Sequence, residues 1–262
     1  MNTVRDIYSF LRSLAPEQYA MEGDRIGLLC GHLDAPVTKI VVSLDASLEA
    51  AEEATELGAE LLLTHHPVYW KLSAVNDTNP AGKTVLFLAE HKIAALNAHT
   101  NLDCAPGGVN DCFAEKLGLR DVRVMDPDGQ DGCGRDYGLI RIGTVDEISP
   151  EDFAAFVKKQ LSCEGLRYVS GSRLICKVAV GGGACADELY RVAELGCDAF
   201  VTADAKYHSF RDAKDLGVTL IDAGHFQTEN PVCNYLAAQI RSAFPQIEVV
   251  ISQKHRDCIK FL

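Results

Sequence analysis

The chain has 262 residues, of which 47% are hydrophobic and 24% charged, the composition of a globular protein with room for one large core or two smaller ones. A formal net charge of −12 argues against nucleic acid or an anionic membrane as the main partner, while leaving room for a local cationic patch. Ten cysteines without a CxxC pair, an amphipathic start without a leader's apolar core, and no membrane-length apolar run point to a reducing, cytoplasmic setting and away from a disulfide framework or a membrane span.

In chain order, Val4, Ile7, Tyr8, Leu11 and Leu14 fall at helical spacing and Pro16 ends the run. The stretch 22–31 is a turn-rich entry into a short strand, and Lys39–Leu44 is a β-branched strand. A helix follows, stopped by Gly58, and then a short apolar strand, Leu61–Leu63, runs into His65 and His66. Residues 70–82 form a polar loop long enough to cover a site. A helix over 83–91 and a buried strand over 92–97 run out into His99-Thr-Asn-Leu-Asp103. Alternation of this kind predicts right-handed βαβ crossovers and a mostly parallel α/β sheet.

The stretch 121–172 is different in character. It is Gly/Asp-rich at first, then carries an alternating strand at 139–145 and a helix opened by Ser149-Pro150. We read it as a small α+β excursion between lobe one, 1–120, and lobe two, 173–262. Lobe two resumes with the strand 177–180, Gly181-Gly-Gly, a helix ending at Gly196, and the strand 199–202. Asp204, Lys206, Tyr207 and His208 follow, then the strand 218–221, His225-Phe-Gln-Thr-Glu229, a helix over 231–240 and a last strand over 248–252. The glycine run suits either a phosphate cradle or tight helix–strand packing.

Laid without gaps over 177–204, residues 39–66 show seven identities: Lys39/Lys177, Val42/Val180, Ala46/Ala184, Glu56/Glu194, Leu57/Leu195, Gly58/Gly196 and Thr64/Thr202. After a change of register, His99-x-x-x-Asp103 meets His225-x-x-x-Glu229. The pattern predicts two pseudo-equivalent α/β lobes, each delivering a histidine and a carboxylate to strand ends, where open α/β sheets bind ligands. An i, i+4 pair shares one helical face. Adjacent residues of an extended chain point apart, so His65 and His66 are expected to face different ions and not chelate one. Facing lobes would bring His65, His66, Asp103, His225 and Glu229 together. Mixed imidazole and carboxylate ligands suit Zn, Fe, Mn, Co or Ni better than Ca or Mg.

Thr64-His65-His66-Pro67, His99-Thr-Asn-Leu-Asp103, Thr202-Ala-Asp204-x-Lys206-Tyr207-His208 and Gly224-His225-x-x-Thr228-Glu229 together resemble the Nif-three-like family, also labelled GTP cyclohydrolase 1 type 2 homologs. The resemblance covers almost the whole chain. It implies a two-lobed α/β fold, a toroidal homohexamer and two divalent metal ions per subunit facing an internal cavity. By position, His66 and Asp103 would hold one ion, His65 and His225 the other, and Glu229 would bridge them. His99 matches a position beside the site, as an outer or substrate-facing residue or an ordinary strand-end histidine. Two departures stand out: Thr202-Ala203-Asp204 where the family has threonine-glycine-aspartate, and Asp24-Arg25 where it often has aspartate-asparagine.

Two metals side by side point to hydrolysis of a nucleotide, phosphoester or cyclic amide. Glu229, Asp204 and His208 are the catalytic candidates, and Lys206 could anchor substrate. The rival for the turn residues is a hydrogen-bonded strand-end turn. Tyr69 and Trp70 could stack on a ring or serve as lid aromatics. Alternatives are a metal carrier, a ring-shaped scaffold without turnover, or redox chemistry at iron. Nothing in the residues specifies guanine or a triphosphate.

Overall fold

The computed structural model describes residues 1–262, which divide into two compact units. One comprises Met1–Ala105 with Val232–Arg256; the other comprises Pro106–Pro231 with Asp257–Leu262.

The first unit opens with α1 (Val4–Leu14), which buries Val4, Ile7 and Leu11 along one stripe. Strands β1 (Gly27–Cys30) and β2 (Lys39–Ser43) lead to α2 (Leu48–Glu56), where the Ser47 hydroxyl accepts from Ala50 N–H at 3.2 Å. Next come β3 (Leu61–Thr64) and α3 (Pro80–Glu90), capped by Asn79 with Pro80 in its first turn. Then follow β4 (Ala94–Asn97) and α4 (Thr100–Cys104). All of Leu61–Thr64 and Ala94–Asn97 is buried, as expected of interior strands of a parallel sheet covered on both faces.

The second unit contains α5 (Val109–Lys116), β5 (Arg120–Val124), the two-residue strands β6 (Gly129–Gln130) and β7 (Asp136–Tyr137), β8 (Arg141–Ile148) and α6 (Pro150–Gln160). It continues through β9 (Arg167–Val169), β10 (Ile175–Val180), α7 (Leu189–Glu194), β11 (Ala199–Thr202), α8 (Tyr207–Leu216), β12 (Thr219–Asp222) and α9 (His225–Glu229). Helix α10 (Pro231–Ala243) then carries the chain back to the first unit, which β13 (Glu248–Ile251) completes.

The first sheet has the order β1-β4-β3-β2-β13, parallel throughout except for the edge strand β1. The second has the order β5-β8-β10-β11-β12-β9. Its centre, β10-β11-β12, is parallel, and its margins are antiparallel. Two assignments therefore differ from a division at 1–120, 121–172 and 173–262. The stretch read as an excursion supplies β5, β8 and β9 to the second sheet, because β8 pairs along its length with β10 and buries Arg141, Ile142 and Gly143. The final strand belongs to the first sheet, where Val249 to Ile251 pair in parallel with Ile40 to Val42. A connection of helix length is what such a parallel return requires.

The internal repeat extends to hydrogen bonds that the alignment did not contain. Glu60 accepts from Thr38 and Lys39 N–H at 3.0 and 2.9 Å, and Asp198 accepts from Cys176 and Lys177 N–H at 3.1 and 2.9 Å. Lys39 Nζ donates to Leu57 O, and Lys177 Nζ to Leu195 O. Each repeat thus caps a helix end with a strand lysine and, through an acidic residue at the end of the crossover, ties that end back to its first strand.

Two buried polar contacts lock the units internally. In the second, Arg141, 1% exposed, donates from Nε and Nη2 to both oxygens of Asp111 at 2.6 and 3.1 Å and from Nη1 to Gly138 O at 2.6 Å. In the first, Glu53, 6% exposed, accepts from the Ser252 hydroxyl and from Gln253 and Lys254 N–H at 2.9 and 3.1 Å. That carboxylate fastens the returning strand to α2 across the sequence. Glu53→Gln should lower unfolding stability by about 1–3 kcal/mol, because a charged acceptor is lost where several donors converge. Urea denaturation checks this, and an unchanged midpoint would show that β13 needs no such fastening.

Candidate metal centre

In the first unit, His65 and His66 follow directly on the last residue of β3. Their two N–H groups donate to the same acceptor, Leu44 O, at 3.2 and 2.9 Å, while the Thr64 hydroxyl donates to His66 O at 2.7 Å. The pleat ends there. Adjacent side chains are no longer sent to opposite faces, and the two rings lie 4.9 Å apart between centroids. The expectation that they point apart is thus corrected: it holds within a ladder, and the ladder stops at Thr64. His99, at the end of β4, brings a third ring to 5.0 Å from His65 and 5.7 Å from His66. Nitrogens of these three histidines lie within 4.8 Å of one another, a spacing that one or more metal ions could use.

Each ring is fixed through Nδ1. His65 Nδ1 is 2.9 Å from Ala98 O, His66 Nδ1 is 2.7 Å from Asp45 Oδ1, and His99 Nδ1 is 2.9 Å from Asp24. These oxygens only accept, so the proton sits on Nδ1 and Nε2 of the neutral ring keeps its lone pair. Asp103, buried on α4 one turn beyond His99, places Oδ1 3.5 Å from His65 Nε2.

The supporting carboxylates are held as firmly. Asp45 meets His255 Nε2 at 2.8 Å with its second oxygen. Burial opposes its ionisation, but the hydrogen bonds from His255 and His66 outweigh that and hold its carboxyl well below the usual carboxylate range. Burial likewise opposes ionisation of Asp24, and hydrogen bonds from His99 and from the Thr100 hydroxyl overcome it, so its carboxyl also titrates unusually low. The departure at Arg25 is absorbed locally. Its side chain is exposed, and it is the backbone that works here: its N–H bonds Asp24 Oδ1 at 2.6 Å and its carbonyl accepts from Asn97 at 2.8 Å.

In the second unit, His225 opens the one-and-a-half turns of α9, and Glu229 lies four residues on, 4% exposed. His225 Nδ1 meets Asp204 Oδ2 at 2.7 Å, and Nε2 lies 3.0 Å from Glu229 Oε2. With the Nδ1 proton given to Asp204, a nitrogen lone pair confronts a carboxylate. A proton or a metal cation between them is what makes that arrangement favourable. Asp222 sets the turns on both sides of this pair. Its Oδ2 accepts from Ala205 N–H at 3.1 Å and from Arg167, and its Oδ1 accepts from Gly224 N–H at 3.2 Å.

The glycine run resolves in favour of packing. Gly182 N–H donates to Asn110 at 2.7 Å and Gly183 N–H to the Thr228 hydroxyl at 3.0 Å, so these donors serve the protein. A Cβ on Gly183, whose φ is +64°, would stand 2.2 Å from Glu229 Oε1 and 3.1 Å from His225 Cε1. Of the other candidates, Asp204 touches His225. His208 lies on the exposed first turn of α8 beside Tyr207, 5.5 Å between centroids, and Lys206 is exposed at its N-cap. Trp70 approaches His99 edge-on at 4.8 Å, whereas Tyr69 packs against the apolar core of the first unit.

Asp45, His255 and Asp222 were not singled out from sequence, and Asp24 stood out only as the neighbour of the Arg25 departure. Asp45 and Asp222 do stand at the carboxyl ends of β2 and β12, the sheet edge that already carries the histidines, and that position was the available signal.

The fold and these groups define an α/β protein in which pinned imidazoles and buried carboxylates form clusters able to take divalent transition metals. The chain belongs to the Duf34/NIF3 (NGG1p interacting factor 3) family, whose model matches residues 2–258. A Clostridium perfringens protein named GTP cyclohydrolase 1 type 2 homolog is 32% identical over 99% of both chains. Among solved structures, a Bacillus cereus protein related to NIF3 is 26% identical with a TM-score of 0.93, covering 100% of this chain and 99% of its own. Reduced HcgD from Methanocaldococcus jannaschii is 29% identical with a TM-score of 0.78, over 96% and 98%. No helix is long and apolar enough to cross a membrane, and all ten cysteines are free thiols.

Two outcomes follow. Asp24 titrates lower in the folded chain than in the unfolded one, so its contribution is complete above about pH 4 and fades as pH falls towards the folded value. Parent minus Asp24→Asn stability, from urea titrations, should stay constant from pH 7 to about 5 and shrink below about 4; a difference already gone at pH 6, where the carboxylate is still ionised, would show that the charge of Asp24 is not what stabilises the fold. Gly183→Ala should leave secondary structure intact by circular dichroism but lower stability by about 1–3 kcal/mol, since the added methyl displaces Glu229.

Proposed function

We propose that this chain is a metal-dependent hydrolase built on a dinuclear centre. His66 and Asp103 are assigned to one ion, His65 and His225 to the other, and Glu229 to a bridge between them. The ions are two of Zn, Fe, Mn, Co or Ni. The observation that carries the reading is the shared anchoring of the histidines: each offers Nε2 because a protein oxygen holds Nδ1. Family membership supports it. On the resemblance, the assembly we propose is a homohexameric ring with the centres facing its interior.

Two such ions would lower the pKa of a water and polarise a substrate oxygen. The chain's own residues do the rest. Asp204 orients His225 and keeps its proton on Nδ1. Asp24 does the same for His99, which stands beside the centre with Trp70 against its edge and can face substrate. Glu229, buried and acceptor-only when ionised, would hold the two ions at the spacing that lets them share the attacking water. His208 and Lys206, exposed on the turn that leads from Asp204, are assigned to the departing or anionic part of the substrate. The substrate class is a phosphoester, nucleotide or cyclic amide. The name GTP cyclohydrolase, carried by relatives, is not adopted as the reaction.

The test is turnover by the metal-loaded full chain against panels of those three classes, with Glu229→Gln alongside. We expect one class to be hydrolysed and the variant to lose at least about 100-fold in kcat. Metal retained by the parent with no turnover in any class would replace the hydrolase with a carrier.

A further inference from the structure

A concavity of about 450 Å³ lies on the second unit between the edge strand β9 and helix α8, lined by Arg167, Tyr168, Tyr207, Phe210, Arg211 and Lys214. Residues 207, 210, 211 and 214 fall at i, i+3, i+4 and i+7 and therefore share one face of α8. That face would ordinarily be solvated with mixed charge. Here it carries cations and aromatic rings on a chain whose net charge is −12.

Three features separate it from an ordinary surface patch. Arg211 and Lys214 are exposed and take part in no ion pair, although Asp212 and Asp215 share their helix; Asp212 accepts instead from the Tyr190 hydroxyl at 3.0 Å. Tyr207 and Tyr168 are 71% and 42% exposed, leaving ring faces available where most large aromatics would be buried. Arg167 stands over the Phe210 ring at 5.3 Å and uses only Nη2 for Asp222 and Ala205 O, leaving donors at Nε and Nη1.

We propose that this concavity binds a small phosphorylated aromatic ligand of the nucleoside monophosphate class. Arg211, Lys214 and the remaining Arg167 donors take the phosphate, and the tyrosines take the ring. The volume suits a ligand of that size, cations in a fork or pair suit a phosphate, and stacking on aromatic rings needs no particular base. Because Arg167 also holds Asp222, the occupant shares a guanidinium with the carboxylate that sets the Asp204 and His225 turns. The site needs no metal, and its occupancy is independent of whether the chain hydrolyses anything.

Isothermal titration calorimetry on the full chain tests it, with AMP, GMP, CMP and UMP as separate probes and adenosine and ribose 5-phosphate as their halves. Each is run on metal-loaded and on EDTA-stripped protein. At least one nucleotide should bind with and without metal, tighter than either half by about tenfold. Arg211→Ala/Lys214→Ala should weaken both the nucleotide and ribose 5-phosphate by about tenfold or more, whereas Tyr207→Ala should weaken the nucleotide alone. All three positions are exposed, so these variants fold as the parent does, which circular dichroism verifies. Binding lost on stripping and insensitive to Arg211→Ala/Lys214→Ala would put the phosphate on the metals and overturn the proposal. So would the absence of binding by all four nucleotides up to about millimolar concentration.

Discussion

Everything the candidate centre can do rests on one arrangement: an oxygen held against Nδ1 of each imidazole. A neutral histidine is a donor at one nitrogen and an acceptor at the other, and the partner of the first decides which is which. Here the partners are a carbonyl for His65 and carboxylates for His66, His99 and His225. Each choice orients a ring, fixes its tautomer and raises its basicity as a ligand. Two of the carboxylates are committed in turn, Asp45 to His255 and Asp24 to Thr100, so the rings of His66 and His99 are held by groups that are themselves held. An unanchored imidazole would have to be ordered by the metal at the metal's own cost.

The repeated βαβ unit puts the same chemistry on two stretches distant in sequence. In each, an acidic residue at the end of the crossover holds the first strand, a strand lysine closes the helix, and a threonine ends the second strand. The following strand then gives way to a short helix with a carboxylate one turn after a histidine. The two repeats are not identical. His66 of the first repeat corresponds to Asp204 of the second, and Asp204 serves not as an equivalent ring but as the oxygen that fixes His225. One copy keeps a pair of histidines at the strand end; the other keeps a positioning carboxylate. The glycine run belongs to the second copy's solution, in which a backbone without side chains passes close enough to Glu229 to confine it.

Much of this was legible in the residues. Apolar runs of strand length, helix-stopping glycines and the repeat gave the α/β character, and strand-end His65, His66, His99 and His225 gave the candidate groups. What stayed hidden has physical causes. The direction of His65 and His66 depends on where the ladder stops, which is set by the Leu44 carbonyl just past the end of β2 and not by local pattern. The destination of β13 and the pairing of β8 with β10 are long-range choices, and alternation alone does not say which sheet a strand joins. Asp45, Asp222 and His255 matter because of what they face, and no spacing rule connects His255 to a residue at position 45.

The most direct measurement is the metal content of the full chain purified without added metal or chelator, by elemental analysis per subunit, for the parent and His66→Ala. We expect about two equivalents in the parent and about one or fewer in the variant, with unchanged secondary structure. A parent that holds essentially no metal, and takes up none from Zn, Mn, Fe, Co or Ni, would contradict that expectation. The anchored rings would then be a hydrogen-bonded cluster, and the chain would not be a metalloprotein.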